Sequence, residues 1–143
     1  MFDMKSGKSA ALSANLTVAA NTQTTALVDM QGYNALTAIV NTGTITAAGS
    51  GITFKLQHSD TTAAVDFTDC AASEVVGSAT AVTTDGQDNV CLGSIGYVGN
   101  KRYVRLAAVG AATSSGVVFA QFVRERSGIS APVTAVFTLT AAT

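Results

Sequence analysis

The sequence predicts an all-β protein, a single-domain antiparallel β-sandwich or jelly roll with extensions at both ends. Three observations predict it. Short segments rich in Val, Ile, Thr, Phe and Tyr alternate apolar and polar residues with the period of two that a half-buried strand requires. Turn formers separate them at Gln31-Gly32, Asn41-Thr42-Gly43, Gly49-Ser50-Gly51, Asp85-Gly86 and Gly99-Asn100. Nothing alternates strand with helix in the α/β manner. The 143 residues suit one core. They divide into an N-terminal arm (1–15), the sandwich (16–126), and a linker with a C-terminal strand (127–143).

The arm opens Met1-Phe2-Asp3-Met4-Lys5-Ser6-Gly7-Lys8. Its two lysines ahead of an Ala-rich stretch imitate a signal peptide, but Asp3, Ser13, Asn15 and Thr17 interrupt the charge and apolar pattern that secretion needs. Strands are expected at 16–20, 24–30, 35–41, 52–58, 101–109, 117–126 and 133–140, with a weak one at 65–67. Alternation assigns Ile52, Phe54, Leu56, Val104, Leu106, Val118 and Phe122 to the core. Residues 71–76 suit one helical turn, capped by Asp69 with Glu74 low in the turn. The polar, small-residue stretch 77–89 reads as a long surface loop or a poorly paired ribbon. At the C-terminal end, Ser127-Gly128-Ile129-Ser130-Ala131-Pro132 breaks the pattern before Val133, Ala135, Phe137 and Leu139 resume it. This last strand either closes the chain's own sheet or reaches onto a neighbouring subunit.

Charged residues make up only 12% of the chain, the net charge is −1, and there is no Trp. So weak a field attracts neither a nucleic-acid backbone nor an anionic membrane, and neither is expected as a partner. A surface poor in Lys and Glu instead suits a subunit that buries flat Ala/Thr faces against other chains, pointing to a homo-oligomer, dimer or trimer.

Few residues are available for chemistry. His58 continues the apolar face of Ile52, Phe54 and Leu56, and no Ser or Cys stands in a nucleophile motif, so it is read as a satisfied ring at a sheet edge. Asp60, Asp66 and Asp69 could converge on one loop, as a Ca²⁺ site would need, but they lack the EF-hand pattern and are read as turn residues, like Asp85-Gly86-Gln87-Asp88-Asn89. Cys70 and Cys91 lack paired CxxC spacing and are read as buried thiols, able to pair only if their strands are neighbours. Gly93-Ser94-Ile95-Gly96-Tyr97-Val98-Gly99 has a strand after it where a phosphate-binding loop has a helix, so it is read as a twisted turn or bulge. No catalysis, cofactor or metal is expected. The remaining signal is charge at strand rims. Lys101, Tyr103 and Arg105 share one face of a strand, and Arg124 and Arg126 share a face at the end of another. With Phe2, Met4, Lys5 and Lys8 of the arm, these are the candidate contacts with other subunits.

The run Phe54-Lys55-Leu56-Gln57-His58-Ser59-Asp60, the step to Asp66-Phe67-Thr68-Asp69, and the run Gly96-Tyr97-Val98-Gly99-Asn100-Lys101-Arg102-Tyr103-Val104-Arg105 together form a recognisable pattern. It resembles small structural proteins encoded among the head genes of tailed bacteriophages and prophages. That resemblance spans about the middle half of the chain. It implies a virion component, a capsid cement or decoration protein made in the host bacterial cytoplasm, carried on the capsid exterior and partnered by the major capsid protein. Two other classes stay open: a head-completion or tail structural protein, and a carbohydrate-binding adhesive module. The chain offers the last class only Tyr33, Tyr97 and Tyr103 as additional ring platforms beside its phenylalanines.

Overall fold

A computed structural model describes residues 8–18 and 21–125, with side chains from Leu16 onward. The described chain is all-β, with two antiparallel sheets around one core. Its strands are β1 (Lys8–Val18), β2 (Thr22–Thr24), β3 (Val28–Asp29), β4 (Ala35–Ala47), β5 (Ile52–Ser59), β6 (Thr68–Asp69), β7 (Val75–Ala79), β8 (Cys91–Tyr97), β9 (Tyr103–Gly110) and β10 (Ser115–Glu125). The first sheet has the order β1-β10-β4-β8-β7, and the second β2-β9-β5-β6, with β3 also on β9.

Alternation along each strand sorts side chains into core and surface. In β10, Val118, Ala120 and Phe122 turn inward while Phe119 and Gln121 face out. In β4, Leu36, Ala38 and Val40 point in and Thr37 faces out. The second sheet answers with Ile52 and Leu56 of β5 and Val104 and Leu106 of β9, all buried. Six of the seven expected core residues are therefore buried; Phe54 is half-buried and packs on the cluster's edge. The core also takes Tyr97, fully buried, and Val82, which bridges to Ile52 through reciprocal backbone hydrogen bonds of 2.9 and 3.0 Å.

Several boundaries differ from expectation for identifiable reasons. β1 begins at Lys8, eight residues before the expected start, because Lys8 to Val18 pairs with β10 from Glu125 back to Gly116. Residues 24–30 do not form one strand: Thr25 leaves the ladder to bond Leu106 from both its backbone N–H and its side chain, separating β2 from β3. The 65–67 segment is a 3₁₀ turn (Ala64–Asp66). Another 3₁₀ turn, Ala72–Glu74, is where the helical turn was expected, but Glu74 caps it, accepting from the Ala71 N–H at 2.9 Å, while Asp69 bonds elsewhere. Residues 77–79 belong to β7 rather than to a loop. Asn41-Thr42-Gly43 is not a turn either: β4 runs through it with a bulge against β10, and an added Cβ on Gly43 would meet the Phe119 ring at 2.8 Å. The glycine there makes room for a ring that lies across the strand. The expected 133–140 strand lies outside the described residues.

Candidate interaction surfaces

The two outer faces of the sandwich differ in chemistry. On the second sheet the charges are paired within the chain. Lys55 Nζ donates to Asp69 at 2.6 Å, and Gln57 Nε2 donates to the same carboxylate at 2.8 Å. Lys101 bonds Asp60. Arg102 grips Asp29 with Nε at 3.2 Å and Nη2 at 3.0 Å, the two-point geometry that guanidinium and carboxylate favour, and also reaches Gln31 at 2.9 Å. These donors hold the carboxyls below their ordinary range: Asp29 chiefly through Arg102, Asp60 through Lys101, and Asp69 through Lys55 and then Gln57.

Of the expected contact residues, Tyr103 and Arg105 lie on β9 of this sheet and Lys101 just before it, while Arg124 reaches across from β10 of the first sheet. Arg105 bonds Gln57 at 2.9 Å and lies 4.2 Å from the Phe67 ring centroid; burial lowers its pKa. Tyr103 stands between Asp29 and Ser59 in register and carries Arg102 over its ring at 5.1 Å. Arg124 donates to the Asp29 carbonyl at 2.8 Å and sits 4.3 Å over Tyr33. Lys101, Arg105 and Arg124 are thus engaged in holding this chain's own loops. Lys8 opens β1 opposite Glu125. Phe2, Met4, Lys5 and Arg126 lie outside the described residues. Arg102, which alternation puts on the strand face with Val104 and Leu106, is not among the expected contacts, and its partner Asp29 is 73 residues away in sequence.

Near this surface lies a buried polar chain. Tyr97 Oη accepts from the Lys101 N–H at 2.9 Å and meets His58 Nδ1 at 3.0 Å, with the two rings edge to face. With Tyr97 donating to Nδ1, the ring hydrogen sits on Nε2, 3.8 Å from the Glu74 carboxylate and beyond hydrogen-bond distance of it. Burial pushes the Tyr97 hydroxyl up to about 12. No nucleophile joins this chain: the half-buried Cys70 thiol is also pushed up to about 12, mainly by burial and then by Glu74. Cys91 is exposed on β8, contrary to the expected buried thiol, and both cysteines are free.

The three aspartates of the 60–69 region turn to separate partners, Asp66 taking the Thr61 hydroxyl. Asp85 and Asp88 instead cap backbone: their carboxylates accept from the Ala48 and Ile45 N–H groups, each at 2.6 Å, and Gln87 accepts from Thr83 and Thr84. Among the described residues no three His, Cys, Asp or Glu side chains converge as metal ligands, and no helix is long and apolar enough to cross a membrane.

The outer face of the first sheet carries almost no charge. β4, β7 and β8 contain no charged residue, and those of β1 and β10, namely Lys8, Arg124 and Glu125, are gathered by the register at one end. Between them the face presents Phe119, Gln121, Thr37, Ile39, Ser94 and Val76. Phe119 is 41% exposed and Val76 61%. Sequence reading missed this face because its members come from strands far apart in the chain. The composition, short of charge, was its one visible trace. No protein-family model, curated protein or solved structure matches the chain.

Proposed function

We propose that the chain is a structural virion protein, a cement or decoration subunit that binds the outside of a bacteriophage capsid and stabilises it. The observation that supports this reading best is the uncharged outer face of the first sheet, which is as broad as a subunit contact and has no pocket chemistry in it. The cations that would otherwise suggest a polyanion site are held by Asp29, Asp60, Asp69 and Gln57. The resemblance to phage head proteins supplies the particle, and with it the major capsid protein as partner. Such a subunit works through many repeated contacts of modest strength that add up over a shell.

The test is a reconstruction of purified particles of the phage that encodes the chain. Density for this sandwich on the outer capsid surface supports the reading. Its location in the tail, or its absence from the particle, overturns it. A deletion of residues 1–7, which stops short of β1, tests the arm separately: decoration weakens if Phe2, Met4 and Lys5 clamp the shell and is unchanged if they do not.

A further inference from the structure

We propose that the uncharged face of the first sheet is a two-fold interface with a second copy of this chain, in which Phe119 of each copy enters the depression over Gly96 of the other. The inference names the partner of the face on which the proposed function rests, and it is tested without a capsid.

The argument comes from register. β4 is the middle strand of the sheet, and Ile39 lies near the middle of its outward side, opposite Gln121 on β10 and Ser94 on β8. Phe119 pairs with Asn41, two residues beyond Ile39 on one side. Gly96 pairs with Thr37, two residues short of it on the other. The exposed Phe119 ring, which leans over Gly43, and the gap in the side-chain cover at Gly96 therefore stand on opposite sides of Ile39 along β4, the Cα positions of the two residues on the order of 16 Å apart from strand spacing and rise. The gap is a shallow depression of about 340 Å³ whose lining includes Thr37, Val76, Gly96 and Val98. A two-fold axis lying between two stacked sheets, passing over Ile39 and perpendicular to the Phe119–Gly96 line, brings each ring onto the other copy's depression. Isologous contacts have this reciprocity: if i touches j, then j touches i.

Size and charge favour the same occupant. Strands about 4.8 Å apart with a rise of about 3.3 Å per residue give a face on the order of 24 Å by 30 Å, close to the ~800 Å² per partner of a stable complex. A self-pairing surface must also avoid placing like charges together, and this one has none to place away from the Lys8–Glu125 end. A charged foreign partner would leave its charges unanswered here.

Ile39 lies over the axis, so the test is a charge swap. Analytical ultracentrifugation of the full chain should give a dimer, while Ile39→Lys and Ile39→Glu should each sediment as monomer at least tenfold above the wild-type dissociation constant. Mixing the two variants should restore a 1:1 heterodimer, because a Lys–Glu pair then meets at the axis. Far-ultraviolet circular dichroism and thermal melting check that each variant is folded. If Ile39 substitution unfolds the chain, Gln121→Lys and Thr37→Lys, both at exposed positions, take its place and should weaken the dimer in the same direction. A wild-type monomer at high concentration overturns the proposal and leaves the face to a foreign partner. An oligomer indifferent to all these charges overturns it as well. A dimer that passes this test but is missing from virions would sink the proposed function alone.

Discussion

Tyr97 shows how much one side chain can organise. Its ring fills the core while its hydroxyl serves the Lys101 N–H and His58 Nδ1, tying the loop after β8 to β5. Replacing Tyr97 by Phe keeps the ring's volume but strands both polar groups. The variant is expected to lose about 1–3 kcal/mol in urea denaturation, with the m-value unchanged. At the surface, pH is the better probe. Asp29 and Asp69 have folded pKa values below the ordinary 3.8, so their contribution is complete above the unfolded value and is lost as the pH falls through the lower folded one. In an acid titration followed by melting temperature, the wild type should exceed Asp29→Asn at pH 6, and the gap should close below about pH 3.8. These pairings were not legible in the sequence: Lys101 and Asp60 stand 41 residues apart and Arg102 and Asp29 73. A linear reading sees only a basic strand and some scattered acids.

At the scale of the element, β8 is the informative case. Cys91-Leu92-Gly93-Ser94-Ile95-Gly96-Tyr97 looks glycine-broken, yet it pairs with both β4 and β7. The ladder shifts between Val40 and Asn41, and Gly93 has φ +122, so the expected bulge is there, inside a strand that was not expected. An added Cβ at Gly93 would stand 2.8 Å from the Ser78 carbonyl oxygen. Gly93→Ala should therefore cost about 1–3 kcal/mol or more from backbone strain alone, and hydrogen exchange should show protection falling first in β7. Where strands have regular alternation and bulky residues, as in β5, β9 and β10, the sequence marked them to within a few residues. It failed where glycine lies inside a strand rather than at a turn, at Gly43 beneath Phe119 and at Gly93 beside β7. Local conformational preference cannot distinguish those two uses of the residue.

For the whole molecule, the strand order has a consequence for biosynthesis. β10 lies between β1 and β4, so two strands made early are joined only by the last strand described. Until Ser115–Glu125 leaves the ribosome, the emerging chain carries two long edges, charged only at Lys8, with no neighbour between them. Sheets closed by such distant partners fold slowly, on the scale of milliseconds to seconds, while synthesis runs at about 5–20 residues per second. The vulnerable interval is thus set by translation, and a ribosome stalled before codon 115 would release a fragment whose β4 edge is open to any strand it meets.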